Sequence, residues 1–491
     1  MKLGIDMERL VVVSNRTADL GGKTLSGGLA VGIVDALKSS GGMWMGWNGY
    51  IVDKSRSMDA RVETYDNVAS LTMPLTKEEH NNYYLGFANK VLWPTFHYRL
   101  DLMDYRTEFA RSYARVNGKF ADILHPHLRD DDLVWVHDYH LIPLASELRA
   151  KGCNHKIGFF LHIPFPPSDI FSAIPRHQWL RECLLQFDLI GFQTQNDADN
   201  FCRYLKGNSD VKFLSPDRIR WHDRTIKIGH FPIGIDVDQF AAMAQETDEE
   251  IQLERKRRSL LKRFQVISAD RLDYSKGLPQ RMKAFRKFLD TSPEYRGHAE
   301  YLQVASPSRE DVTAYSDIRG ELEQLSGAVN GKHADINWAP IQYINQSISR
   351  ERLALLFRCS LIGLITPLRD GMNLVAKEYI AAQDDEDPGI LILSRFAGAA
   401  EELGDALIVN PYDVNEVAQA IKKAATMPMD ERKARHRNLF SQISTNNADL
   451  WQRRYVAALR SVEPNVQRAQ LSSHAKWRKE PGMGTMSNSR H

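Results

Sequence analysis

The strongest constraint on the fold is a repeated unit. A short, wholly apolar run meets a loop rich in Gly, Pro or polar residues, and then a segment with helical periodicity. Leu10-Val11-Val12-Val13-Ser14 opens the series. A β-branched run without polar alternation must be buried on both faces, as a parallel strand covered by helices is. It runs into Gly21-Gly22 and Ser26-Gly27-Gly28, then a helical pattern over 29–38 closed by Gly41-Gly42. The unit recurs as a strand over 132–137 with a helix over 143–150, and a strand over 156–161 with a Pro-rich loop over 164–167. Further units are a strand over 189–193 with a helix over 196–205, and a strand over 227–231 that ends in Pro232-Ile233-Gly234. The chain then restarts. A charged helix over 248–262 precedes strands over 265–269, 300–305, 335–338, 360–365, 389–394 and 406–409, with helices over 278–289, 350–357 and 374–383. This alternation predicts an α/β protein of two doubly wound parallel-sheet halves, divided near 234–237.

At 491 residues the chain has room for two to four domains. Residues 464–491 are rich in Ser, Gln, Arg, Lys and Gly, which predicts a disordered tail. Lys+Arg is 64 against 62 Asp+Glu, a net charge of +2. That balance argues against a protein that coats nucleic acid or lies on anionic lipid. Cys153, Cys183, Cys202 and Cys359 are too few for a disulfide framework and form no C-x-x-C. The opening residues 1–8 are too polar for a signal peptide, and no apolar run approaches membrane-spanning length. The expectation is a cytoplasmic protein without a metal or cofactor. Several motif fragments fail. Gly22-Lys23-Thr24 lacks the earlier glycine of a P-loop, and no G-x-G-x-x-G follows the first strand. Asp236-Val237-Asp238 has the D-x-D spacing of some metal sites, but it sits at the expected hinge.

In doubly wound sheets ligands bind beyond the carboxyl ends of the strands, so the loops there carry the information. The first joins Arg16 to the glycines at 26–28, where backbone N–H groups can approach an anion. The second and third strand-end loops carry His137-Asp138-Tyr139-His140 and His162, polar groups suited to sugar hydroxyls or proton movement. A half-buried histidine satisfied by the protein is the commoner outcome for each alone; two in consecutive units favour a site. Next is Arg271-Leu272-Asp273-Tyr274-Ser275-Lys276-Gly277. Cations at a helix start are unfavourable unless an anion is near, which points to a pyrophosphate. The last is Thr366 to Glu378, where Asp370 and the N–H groups of Gly371, Met372 and Asn373 open a helix. Glu378 lies a turn in, beside Leu374, and a carboxylate there suits paired ribose hydroxyls. The aromatic stretch holding Tyr83, Tyr84, Trp93, His97 and Tyr98 suits either a core or a sugar-stacking surface.

Together these segments resemble the trehalose-6-phosphate synthase family, retaining glycosyltransferases of family 20 with the GT-B fold of two facing Rossmann-like domains. The resemblance is carried by LVVVSNR at 10–16, SGGLAVG at 26–32, VLWPTFHYR at 91–99, VWVHDYHL at 134–141 and GFFLHIPFP at 158–166. It continues with RLDYSKG at 271–277, SPSR at 306–309 and TPLRDGMNLVAKEY at 366–379. It implies an acceptor domain over 8–234, completed by a C-terminal helix over 447–463, and a nucleotide-sugar domain over 235–446. It implies that Arg271 and Lys276 hold a donor pyrophosphate beside the Gly27 and Gly28 backbone. Glu378 would bind ribose; His162, Asp370, Gly371, Met372, Asn373 and Leu374 would hold the donor glucose. Arg16, Tyr84 and Arg309 would bind an acceptor phosphate, with Trp93 and Trp47 nearby and Asp138 on an acceptor hydroxyl. Arg271, Lys276, Asp138, His162 and Asp370 form the implied catalytic set. The implied reaction moves glucose from a nucleotide donor to glucose 6-phosphate with retention, by a metal-independent front-face route. UDP-glucose is the leading donor, with guanine and adenine open as bases and the base pocket near 338–344. Relatives imply a homo-oligomer, dimer or tetramer. Another phosphorylated acceptor such as glycerol 3-phosphate, or a non-catalytic regulatory homologue, are the competing expectations.

Overall fold

The computed structural model describes residues 8–17, 33, 37, 41–53, 60–246, 248–308 and 313–463. The glycine loop and the helix expected over 29–38 fall outside the described residues, apart from Ile33 and Leu37. Arg309 and the segment 464–491 fall outside them entirely.

The first half is built on ten strands: β1 (Leu10–Arg16), β2 (Gly42–Val52), β3 (Arg61–Tyr65), β4 (Val68–Thr76), β5 (Leu133–His137), β6 (Lys156–Phe160), β7 (Leu189–Phe192), β8 (Val211–Ser215), β9 (Arg218–Trp221) and β10 (Arg224–His230). They lie in the order β3-β4-β2-β1-β5-β6-β7-β10-β9-β8. The central strands run parallel; the antiparallel pairings are β3 with β4 at one edge, and β9 with both β10 and β8 at the other. The second half holds β11 (Phe264–Arg271), β12 (Ala299–Ser306), β13 (Ile341–Ile344), β14 (Ile362–Ile365), β15 (Ile390–Ser394) and β16 (Leu407–Val409). All six are parallel, in the order β13-β12-β11-β14-β15-β16. This is the two-sheet GT-B architecture.

The strand order locates the ligand sites. In each sheet the chain begins centrally, winds outward one way, then returns to wind the other way. The crevice opens where the direction reverses. That point lies between β1 and β5 in the first sheet and between β11 and β14 in the second. The strands flanking it are the apolar runs: Leu10, Val11, Val12 and Val13 are at most 3% exposed, and Leu133 to His137 are all buried. Their polar residues come where the sheet ends: Asn15 and Arg16, His137 and Asp138, Asp270 and Arg271, Thr366 onward.

The strand expected over 335–338 is a turn closed by an isolated bridge between Asp335 and Trp338; the strand comes later, at β13. Asp335 holds the Ile336 N–H, and Ile336 is fully exposed, as a turn residue can be. Asp236 caps the helix Val237–Met243, its Oδ1 accepting from the Gln239 N–H at 2.9 Å, which accounts for the D-x-D. Strands β2 to β4 and the wide π-helical segment His80–Leu92 were not legible from the residue pattern. The helix Ala448–Arg460 returns to the first sheet, where Tyr455 stacks on Trp135 at 4.5 Å.

Candidate active site

The second half presents two loops joined to each other. Asp273 Oδ1 accepts from the Ser275 N–H and hydroxyl at 2.9 and 2.8 Å, and Tyr315 donates to its Oδ2 at 2.9 Å. The Ser275 carbonyl then accepts from the Leu368 N–H at 2.7 Å, which ties the loop after β11 to the loop after β14. Gly277 turns this corner at φ 69°, with Thr366 O against its Cα, a conformation and approach that only glycine fits. Beneath lies the buried pair Arg281–Asp270 at 2.5 Å, with side chains 0% and 1% exposed.

The anion that the sequence demanded near Lys276 is supplied by the protein. Lys276 Nζ donates to Asp370 Oδ2 at 2.5 Å, and Asn373 Nδ2 donates to the same oxygen at 3.0 Å. Burial alone would push the Asp370 carboxyl up; Lys276, together with His97 and Asn373, outweighs it and holds the group below the usual carboxylate range. Asn373, at φ 78°, caps the helix Leu374–Ala381 by accepting from the Ala376 N–H. The N–H groups of Gly371, Met372 and Asn373 meet no acceptor among the described residues. Met372 is buried and Leu374 half-buried. Glu378 faces Arg350 at 3.6 Å, and burial raises its carboxyl to about 7 against that pairing.

The first half faces these loops with aromatic and polar groups. Arg16 lies over the Trp47 ring at 5.7 Å. Trp47 contacts Tyr84 at 5.7 Å, and Tyr84 stacks on His140 at 5.9 Å. Asp138, the residue after β5, holds a φ of 74°, rare for a side chain with a Cβ and typical of functional corners. Its Oδ1 accepts from the His162 N–H at 3.2 Å. Neither Arg16 nor Arg271 meets a carboxylate among the described residues.

Among the described residues three cation–π contacts cross the cleft. Arg271 lies over Trp93 at 5.8 Å, Arg369 over Tyr98 at 4.4 Å, and Arg99 over Tyr274 at 5.5 Å. Gly371 packs directly on the His162 carbonyl. The structure thus gathers Trp93, Asp138, His162, Arg271, Lys276, Asp370 and Gly371 along one cleft, with Arg16, Trp47 and Tyr84 forming a linked group on the first half. Gly27, Gly28 and Arg309 lie outside the described residues. Among the described residues no group of three or more His, Cys, Asp or Glu is placed to hold a metal ion. Nor is any helix there long and apolar enough to cross a membrane.

His162 departs from expectation as a proton carrier. Burial lowers it to about 3, and both ring nitrogens already face protein groups, Gln193 and His137. Gln193, Arg369 and Arg350 were not among the expected site residues, and Tyr98 was expected only as part of the aromatic stretch. Gln193 had the same signal as His162, a polar residue ending an apolar strand. The others are recognisable only once the halves face each other.

Two facing doubly wound sheets, with cations and aromatics meeting at both reversal points, define a glycosyltransferase of the GT-B class. The sequence profile of glycosyltransferase family 20 matches residues 4–461, and the chain belongs to that family. It is 45% identical over 468 residues to a trehalose-6-phosphate synthase of Enterobacter sp. strain 638, covering 94% of this chain and 98% of that one. A Burkholderia xenovorans α,α-trehalose-phosphate synthase (UDP-forming) solved with glucose-6-phosphate superposes with a TM-score of 0.88 at 46% identity, over 92% of this chain and 100% of that one. An E. coli structure bound with UDP-2-fluoro glucose gives 0.89 at 44% identity, over 93% and 100%.

Proposed function

We propose that the protein transfers glucose from UDP-glucose to glucose 6-phosphate with retention of configuration, giving α,α-trehalose 6-phosphate and UDP. The observation that carries this is the pair of reversal points facing across one cleft, each with its own cation. In this scheme Arg271 and Lys276 bind the donor diphosphate, Glu378 the ribose, and the Gly371–Asn373 N–H groups with His162 the glucose. Arg16, Tyr84 and Arg309 read the acceptor phosphate beside Trp47 and Trp93, and Asp138 orients the reacting hydroxyl. The Lys276–Asp370 pair opens when the diphosphate arrives, because a phosphate oxygen replaces the carboxylate at Nζ. Charge then builds on the leaving diphosphate as the C1–O bond breaks, and Arg271 and Lys276 stabilise it. A double-displacement route requires a carboxylate under the anomeric carbon. Asp370 is held by Lys276 and Asn373, and this supports the front-face alternative, in which the departing phosphate oxygen takes the acceptor proton. The fold supports a division into an acceptor domain over 8–234 with the helix over 447–463, and a donor domain over 235–446.

The test is product formation from glucose 6-phosphate with UDP-, GDP- and ADP-glucose, with and without EDTA, and with glycerol 3-phosphate as competing acceptor. The expected result is trehalose 6-phosphate from UDP-glucose at a rate EDTA leaves unchanged. Preference for glycerol 3-phosphate would overturn the acceptor assignment, and EDTA inhibition the metal-free route.

A further inference from the structure

One hydrogen-bonded chain runs from the donor helix through the hinge to the cleft. Lys377, beside Glu378, is 1% exposed; its Nζ donates to Glu402 at 2.6 Å and to the Ile233 carbonyl at 2.9 Å. The Ile233 N–H donates to Gln193 Oε1 at 3.1 Å. That bond fixes the orientation of the Gln193 amide, so Gln193 Nε2 is the atom that faces His162 Nδ1, at 3.3 Å. An amide nitrogen only donates, so Nδ1 must carry a lone pair. The neutral His162 ring then has its proton on Nε2 and donates it to His137 Nδ1 at 3.0 Å. His137 in turn carries its proton on Nε2, which is buried without a hydrogen-bond partner, its ring lying 4.4 Å from Trp135 and 6.3 Å from Trp451. Each proton position follows from the one before. Lys377, Ile233, Gln193 and His137 are all buried; His162 is half-buried, so the chain surfaces there.

We propose that Gln193, held by the Ile233 peptide that Lys377 anchors, is a positioning residue that fixes His162 as the Nε2–H tautomer. The imidazole then presents an acceptor at Nδ1 to a hydroxyl of the donor sugar. The Gln193 bond is the longer of the two at His162, so a sugar hydroxyl at ordinary distance replaces it without moving a proton along the chain. A ring in the opposite tautomer would offer that hydroxyl a donor and leave Gln193 facing an N–H. The inference rests on the proposed donor site, but its first test does not need activity.

That test is the tautomer of His162 in the full chain labelled with [15N]histidine, read from long-range 1H–15N correlations and assigned with a His162→Asn protein. The expected state is a proton on Nε2 and none on Nδ1. Gln193→Glu supplies an acceptor where Gln193 supplies a donor, and should draw the proton to Nδ1. With that change the KM for UDP-glucose should rise about tenfold, the scale of one hydrogen bond, while the KM for glucose 6-phosphate stays put. Gln193→Met, which removes both bonds at similar volume, should release the preference into a mixture. A wild-type proton on Nδ1 overturns the proposal without any variant, and so does a Gln193→Glu protein that keeps the wild-type tautomer and KM. If the tautomers behave as expected but no nucleotide sugar reacts, the proposed function fails and the positioning role stands.

Discussion

A methyl group added at Gly371 tests whether the two halves must touch for the reaction to run. A Cβ there would fall inside contact distance of the His162 carbonyl oxygen, with the His162 carbonyl carbon and Ile163 Cα both at 3.0 Å. Carbon–carbon contacts settle at about 3.5–4.0 Å, so the two carbons alone require a displacement of at least ~0.5 Å, and the oxygen requires more. All three obstacles are backbone, so no side chain can rotate away. The loop cannot retreat either, because the Gly371 carbonyl rests against Gly398 on its far side. Relief must come from prying the donor loop off the first half. That moves Asp370, the partner of Lys276, together with the N–H groups of 371–373. A misplacement of about 1 Å at a reacting centre costs on the order of a hundredfold in rate, whereas overpacking costs about 1–3 kcal/mol of stability. Gly371→Ala should therefore stay folded, with kcat for UDP release from UDP-glucose and glucose 6-phosphate down about a hundredfold. The matched measurement is the melting temperature. A variant with turnover within twofold of wild type would refute the reasoning, since the halves would then not need this contact.

Other outcomes follow from the same geometry. Arg271→Ala and Lys276→Ala should each lower kcat by about a hundredfold or more while leaving glucose 6-phosphate affinity near wild type, as steady-state kinetics would report. Arg281→Ala strands the buried Asp270 carboxylate and should cost about 3–5 kcal/mol in urea unfolding, with little recovery from Arg281→Lys. Glu378, raised to about 7, is largely protonated below that pH in the free protein, so affinity for UDP should improve as pH rises through 7. Glu378→Gln should flatten that profile in calorimetric titrations. The raised value also means that stability from this group is present below its unfolded pKa and is lost as pH climbs through 7. The Gln variant should therefore gain on wild type by about 2–3 kcal/mol between pH 5 and pH 8 in urea melts.

How much of this could be read from residue order depends on the range of the interaction. β1, β5, β11 and β14 were legible because burial on both faces leaves an unbroken apolar run. The helices after β5, β11 and β14 were legible because their apolar periodicity is local. β2 to β4 were not, since Gly42 to Thr76 mixes aromatics, glycines and exposed edge residues whose pairing depends on distant neighbours. The segment 335–338 was expected as a strand, yet Trp338 is buried with its Nε1 donating to the Ala299 carbonyl from a turn rather than a strand. The antiparallel edges were missed for a related reason: β8 is only partly buried, so its residues carry a weak pattern.

The site divides along the same line. The strand ends that carry the loops singled out by composition lie at a reversal point or beside one, because the rule that places ligands there depends only on strand order. What residue order withheld is who meets whom. Lys276 and Asp370 are 94 positions apart, and each looked like a ligand-facing charge until they were seen to face each other. This pairing changes the electrostatic argument for the loop. An isolated ammonium and carboxylate would each need solvent or ligand as a partner in a half-buried cleft; here each has the other, and in the proposed donor site the ammonium is already placed for an incoming diphosphate. In that proposal the cost of binding is the exchange of one anion for another at Nζ, and Asn373, which also holds Asp370, keeps the released carboxylate from following the lysine. The same logic explains why the cross-cleft partners of Arg271 and Arg369 are aromatic rings rather than acids, whereas Arg99 also pairs with Asp101 on its own half. A ring holds a guanidinium in place without neutralising it, so Arg271 and Arg369 keep a positive field at the cleft, as the phosphorylated substrates proposed above require.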